Sequence, residues 1–218
     1  MLEDSYKHQG MRRTLVKKLR EKGIRDERVL TAIGKIPRHL FLDSAFAEHA
    51  YKDKAMPIGE GQTISQPYTV AFQTELLSVQ PGDKVLEVGT GSGYQCCVLL
   101  ELGANVYTIE YNQNLYEQTA KFLPSIGYKA YFLQGDGSKG VPVFAPYDKI
   151  IVTAGAPTMP DALIEQLDIK GKLVIPIGDS KTQKMVLVEK ISEKEVDWKE
   201  FAAFSFVPLL GEYGWKKK

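Results

Sequence analysis

An α/β fold is predicted, doubly wound around a mostly parallel sheet, with helices on both faces and a helical cap at the N-terminus. Three observations predict it. First, Val85, Leu86 and Val88 form a buried-strand run that enters the turn Gly89-Thr90-Gly91-Ser92-Gly93 and then a helical stretch from Gln95 to Leu102. Second, strand and helix patterns alternate from Ala104 to Pro176, which parallel strands with right-handed crossovers require. Third, the front of the chain is helical and carries no comparable glycine turn.

Taken in order, Asp4 to Lys22 predicts a helix, because Met11, Leu15 and Leu19 recur at helical spacing among arginines and lysines. Gly23 stops it. Asp26 caps a second helix through Val29, Leu30 and Ile33, ending near Gly34 and Pro37. A connection over Arg38–Leu42 and a further helical turn over Asp43–Ala47 follow. Residues 51–67 read as irregular, punctuated by Pro57, Gly59, Gly61 and Pro67, and the small polar stretch Ile58–Pro67 is expected to form a lid or substrate strip. Pro67 opens a helix that continues over Tyr68–Ser78.

After the glycine turn the expected elements are a strand at Ala104–Glu110, a helix at Asn112–Leu123 and a strand at Tyr128–Gln134. A strand at Tyr147–Ala154, a short helix at Pro160–Leu167 and a strand at Leu173–Pro176 come next. Gln183–Ile191 and Phe201–Val207 read as antiparallel edge strands, and Gly211–Lys218 as a frayed polar tail. One domain is expected: a cap over 1–60, a core over 61–211 and the tail over 212–218.

Composition narrows the class. A charged fraction of 25% and a net charge of +1 give no basic field for nucleic acid. No run is long and apolar enough to span a bilayer, and Met1-Leu2-Glu3-Asp4 begins no signal peptide. A cytoplasmic monomer with no membrane or nucleic-acid partner is expected. Cys96 and Cys97 are neighbours without metal-ligand companions, so neither an easy disulfide nor a metal site is expected.

The chemistry concentrates at strand ends. The third glycine of Gly89-x-Gly91-x-Gly93 comes one residue too early for a dinucleotide fingerprint, and no Lys-Ser/Thr pair follows as in a phosphate-binding Walker loop. Glu-x-Gly-x-Gly-x-Gly resembles motif I of the class I S-adenosylmethionine-dependent methyltransferases. Glu110, ending the next strand, is placed to accept from both ribose hydroxyls. Asp136, between Gly135 and Gly137, is placed to accept from the adenine amino group, with an Asx turn as the plainer alternative. Glu87 is expected to shape the loop or meet the ligand's amino end.

Several stretches together resemble a narrower family, the protein-L-isoaspartate O-methyltransferases. They are Gly61-Gln62-Thr63-Ile64-Ser65-Gln66-Pro67, Val85 to Gln95, Tyr107-Thr108-Ile109-Glu110, Gly135-Asp136-Gly137, Tyr147 to Pro157, Leu173 to Gly178, and Phe206-Val207-Pro208-Leu209. The resemblance implies a Rossmann-like methyltransferase fold and transfer of a methyl group from S-adenosylmethionine to the free α-carboxylate of L-isoaspartyl residues in proteins and peptides. The ester then closes to a succinimide that partly reopens to aspartate, a repair of damaged proteins.

Carried over by residue, the resemblance makes Ser65 the active-site serine, with Thr63, Ile64 and Gln66 flanking it against cofactor and substrate. It places Gly89, Thr90, Gly91, Ser92 and Gly93 around the cofactor, Glu110 at its ribose, and Asp136 with Gly137 at its adenine. Thr153, Ala154, Gly155, Val207, Pro208 and Leu209 would line the peptide side. Three positions depart from the family pattern: Tyr111 where a basic residue is common, Cys96-Cys97 in the motif I helix, and Leu210-Gly211 near the substrate. Two alternatives remain at this level. A methyltransferase of a small molecule or RNA predicts a different strip from Thr63–Pro67. A non-catalytic binding protein predicts loss of Ser65 or Asp136, and both are present.

Overall fold

The computed structural model describes residues 4–216. Two helices begin the chain, α1 (Tyr6–Glu21) and α2 (Glu27–Lys35). Ser5 and Asp26 cap them, each side chain accepting from a backbone N–H in the first turn, His8 and Arg28 respectively. A two-stranded hairpin follows, β1 (Met56–Gly59) and β2 (Gln62–Ile64), and then α3 (Pro67–Leu77). The main sheet and its helices comprise β3 (Lys84–Val88), α4 (Tyr94–Glu101), β4 (Asn105–Glu110), α5 (Gln113–Ser125), β5 (Tyr131–Gln134), β6 (Tyr147–Val152), α6 (Asp161–Glu165), β7 (Leu167–Gly178), β8 (Gln183–Ser192) and β9 (Glu195–Phe204).

The seven strands lie in the order β5-β4-β3-β6-β7-β8-β9. Strands β3 to β7 pair in parallel, while β8 and β9 are antiparallel. The winding direction reverses between β3 and β6, which opens a crevice at their carboxyl ends. Alternate side chains divide the core between the two faces. Val85, Ile151 and Val174 join the helical layer of α1 to α5, whereas Leu86, Ile150, Leu173 and Ile175 pack beneath α6 and its neighbouring turns. Helix α3 is buried between that outer layer and the sheet, and Gln73 donates to the Val152 carbonyl at the end of β6.

Three expectations change. Residues 51–67 are not wholly irregular, since they contain the β1–β2 hairpin. Its strands are too short for a legible alternation, and its turn puts Glu60 and Gly61 at φ 53° and 67°. Strand β7 extends back to Leu167 and β9 begins at Glu195, because an edge strand can be polar on exposed positions and still satisfy its backbone on β8. The tail is folded as far as Trp215: the Trp215 N–H donates to the Leu209 carbonyl at 2.7 Å and the Gly211 N–H to the Trp215 carbonyl at 3.3 Å. Lys217 and Lys218 lie outside the described residues.

Glu87 sits inside β3 with no exposure. One carboxyl oxygen accepts from Thr108 Oγ1 at 2.6 Å, and the other has no hydrogen-bond partner among the described residues. Burial, with the nearby charge of Glu110, pushes this carboxyl up to about 8. The ordinary value is 4.5, so between that and about 8 the folded protein holds a proton that the unfolded chain has lost. Stability therefore declines as pH rises through that window, by up to about 1.4 kcal/mol per unit. Glu87→Gln keeps the shape without the ionisation. Denaturant unfolding should show its stability relative to wild type improving from about pH 5 to about pH 8. A pH-independent difference would refute the neutral buried acid.

Candidate active site

The strand-end turn after β3 is built around three glycines with positive φ. Gly89 has φ 96°, and a Cβ there would lie 2.5 Å from Thr153 Oγ1. That hydroxyl donates to the Gly89 carbonyl at 2.6 Å and lies 3.0 Å from the Val88 carbonyl. The Gly91 N–H donates to Glu110 Oε2 at 2.8 Å, and its carbonyl accepts from Thr119 on α5 at 2.7 Å. Gly93 starts α4 at φ 82° and lies against Leu123 and Thr119, where any side chain would collide.

This turn forms one wall of a cavity of about 380 Å³. The carboxyl ends of β3 and β4 and the segments that follow β5 and β6 reach it, and the β2 strip forms another wall. Of the residues singled out in the sequence, Thr63, Ile64, Ser65, Gly89, Thr90, Gly91, Ser92, Glu110, Gly137, Thr153, Ala154, Val207, Pro208 and Leu209 line it. Glu110 is 7% exposed, and its second oxygen accepts the Asn112 N–H at 2.9 Å. Each oxygen retains a lone pair for a ligand hydroxyl.

Five expected residues lie outside the cavity wall. Glu87 is behind the turn, bonded to Thr108, whose hydroxyl meets that of Thr90 at 2.6 Å. It therefore acts on the loop through two threonines and makes no direct contact with the cavity. Gly93 serves the approach of α4 to α5. Gln66 faces an adjoining groove. Gly155 offers its carbonyl to the indole N–H of Trp215 at 3.0 Å.

Asp136 is the fifth, and it takes up the Asx turn that the sequence left open. Its Oδ1 accepts from the Ser138 N–H at 3.0 Å and hydroxyl at 2.6 Å, the Asx-turn arrangement. Its Oδ2 accepts from the Glu212 N–H of the folded tail at 2.8 Å. Gly137, which follows it, faces the cavity and packs against Val88, so this loop presents backbone to a ligand.

Other contributors escaped the sequence reading. Glu60, at the tip of the β1–β2 hairpin, accepts from the side chains of Asn112 and Asn114 at 3.2 Å each, which latches the hairpin over the cavity. Tyr94, Gln95 and Gln113 also line the wall, as do Tyr111 and Leu210, which the sequence had marked as departures from the family pattern. Gln95 had a legible signal, since it lies in the first turn of the helix after the glycine loop.

The arrangement fits S-adenosylmethionine. Bare glycine backbone faces the cavity, Glu110 presents a carboxylate at the end of β4, and the carbonyl oxygen of Gln95 is buried without a hydrogen-bond partner among the described residues. That oxygen suits an ammonium donor. The family described as protein-L-isoaspartate(D-aspartate) O-methyltransferase matches residues 10–214. The chain belongs to this family.

Named relatives agree along the whole length. The protein-L-isoaspartate O-methyltransferase of Cytophaga hutchinsonii is 62% identical, covering 100% of this chain and 98% of the relative. That of Christiangramia forsetii is 60% identical over 96% of this chain and 98% of its own. A solved protein-L-isoaspartate O-methyltransferase superposes with a TM-score of 0.84 at 29% identity, covering 93% of this chain and 67% of that one. A solved Plasmodium falciparum protein, in complex with S-adenosyl-L-homocysteine, shares the fold with a TM-score of 0.78 at 24% identity, covering 91% and 98%. The chain is thus an S-adenosylmethionine-dependent protein-L-isoaspartate O-methyltransferase, an enzyme of protein repair.

Glu110→Gln tests the strand-end acid. It removes the charge and turns an amide donor toward a backbone N–H. Affinity for S-adenosylhomocysteine, measured by calorimetry, should fall by about 10- to 100-fold, the value of a hydrogen bond to a charged group. Turnover at saturating cofactor should stay within about threefold. Unchanged affinity would remove Glu110 from the cofactor site.

Proposed function

We propose that Ser65 receives the isoaspartyl α-carboxylate and points it at the methyl group held in the glycine-lined cavity. One observation carries this reading. Ser65, Thr63 and Val207 line both that cavity and a second, more open groove of about 840 Å³. Tyr68, Phe204 and Phe206 wall the groove. A chain lying there can turn one carboxylate inward at Ser65 while its neighbours remain outside. Such a site reads one group and tolerates varied sequence, as repair requires.

The chemistry asks little of the protein beyond alignment. An α-carboxylate has a reference pKa of about 3.5, so at neutral pH it is already ionised and nucleophilic. S-adenosylmethionine supplies a methyl group activated on a sulfonium. No general base is needed, and among the described residues the cavity wall holds no histidine, lysine or arginine. Ser65 orients the carboxylate by donating a hydrogen bond and forms no covalent bond with it. The β2 strip and the Glu60 latch exclude water, so that opposite charges meet with little solvent to reorganise. Glu110 and the Gly137 loop hold the donor end, while Thr153 and Val207 to Leu209 hold the acceptor end.

We further infer a cytoplasmic monomer with protein and peptide substrates and no nucleic-acid partner. The net charge of +1 and the two free, buried cysteines support it. No helix among the described residues is long and apolar enough to cross a membrane. Paired peptides carrying isoaspartate or aspartate test the substrate assignment, with labelled cofactor as the readout. Only the isoaspartyl peptide should be methylated. Ser65→Ala should lower turnover about 10- to 100-fold, the cost of one hydrogen bond to a charged group. Cofactor affinity should stay within about threefold. Normal turnover with weakened cofactor binding would overturn the role given to Ser65.

A further inference from the structure

Arg38 lies in the turn after α2 and has no exposure to solvent. Its Nε donates to the Ala50 carbonyl at 3.0 Å and its Nη2 to the Ser65 carbonyl at 2.8 Å. Its third nitrogen, Nη1, has no hydrogen-bond partner among the described residues, and the guanidinium stands 4.7 Å from the centre of the Tyr94 ring, which lines the cofactor cavity. No carboxylate among the described residues forms an ion pair with it. Asp53, whose charge does reach it, is occupied by the Tyr68 N–H and by Lys22. Burial lowers the guanidinium pKa only to about 10, so it remains charged at neutral pH.

A buried cation without an ion-pair partner is costly, and structural needs alone do not call for one. Two neutral carbonyls could be served by a neutral donor. We propose that Arg38 is a positioning residue of the methyl transfer: it fixes the Ser65 backbone, and its unpaired charge, one layer behind the cavity wall, draws in the substrate's anionic α-carboxylate. This rests on Ser65 facing that carboxylate. Among the described residues the cavity wall holds no cationic side chain, and the substrate is an anion that must enter beside Glu60 and Glu110. Arg38 supplies the missing sign from a place where it cannot be methylated or quenched by salt.

The direction of the effect follows from the reaction. A carboxylate oxygen forms a bond to the methyl carbon as the carbon–sulfur bond breaks, and the electron pair leaves with sulfur. Carboxylate charge disappears as the ester forms. A fixed cation therefore stabilises the bound substrate at least as much as the transition state, and it offers nothing to the neutral ester. Its charge should govern peptide affinity and product release, while its hydrogen bond to Ser65 should govern turnover.

The test compares an isoaspartyl peptide with the same peptide carrying an α-carboxamide, both binding to enzyme saturated with S-adenosylhomocysteine. A buried charge one layer behind the cavity wall is worth on the order of tenfold in carboxylate affinity. Wild type should therefore bind the carboxylate at least about tenfold more tightly, and the gap should persist up to about 0.5 M salt. Arg38→Met should reduce the gap to about twofold, while Arg38→Lys should preserve the gap and lower turnover. Equal binding of the two peptides by wild type would overturn the proposal. So would a gap that salt abolishes, which would assign the attraction to an exposed cation such as Lys22 in the outer groove. So would an Arg38→Met enzyme that keeps both the gap and normal cofactor affinity. Where Arg38→Met does not fold, Arg38→Gln, a neutral donor, carries the same arm, and a full gap in that variant overturns the proposal. Failure of wild type to methylate any isoaspartyl peptide would instead defeat the underlying assignment of substrate.

Discussion

The junction of β3 and β6 is the constraint on which the site depends. Their parallel pairing brings Val88 beside Val152. The chain then diverges, and the Thr153 hydroxyl crosses the gap to the carbonyls of Val88 and Gly89. That crossing fixes the glycine turn from the side opposite its helix. It also explains why Gly89 carries no side chain: the space a Cβ needs belongs to Thr153. Thr153 was expected among the peptide contacts, and it does line the cavity, but its hydrogen bonds make it the clamp of the cofactor loop as well. Donor and acceptor halves of the site are thus joined through one hydroxyl.

A second tie runs through the C-terminal segment. Asp136 and Ser138 hold the backbone of Glu212 and Tyr213, Lys139 pairs with Glu212, and Trp215 reaches back to the Gly155 carbonyl. Leu209 and Leu210, which line the cavity, lie just before these anchors. The tail therefore couples the loop after β5 to the loop after β6. The Asp136 carboxylate thus ties the tail to the loop after β5, and Gly137 beside it lines the cavity.

Buried ionisable groups flank the site with opposite outcomes. Glu87 loses its charge because nothing nearby compensates burial, and it serves as a neutral link to Thr108 and Thr90. Arg38 keeps its charge because a guanidinium remains protonated even after a large desolvation penalty. The interior near the cavity is thus biased positive without placing a cation in the wall. That bias suits a reaction in which an anion must approach a site lined by Glu60 and Glu110 and then lose its charge.

The sequence by itself determined the layered fold and the strand-end location of the site. Both follow from local pattern: apolar runs of strand length, glycines at alternate positions, caps at Asp26, and an acid at the end of β4. The family resemblance rested on contiguous motifs, and so it too was legible in one dimension. Only the tertiary structure decided what each polar group is bonded to. Asp136 accepts from the backbone of a segment 76 residues further along. The hairpin at Met56–Ile64 formed because two strands too short to signal themselves satisfy each other's backbone and latch to α5. Arg38 reached Ser65 across 27 residues. Hydrogen bonds over such separations leave no periodicity in the chain, and their partners are chosen by packing, which only the folded protein supplies.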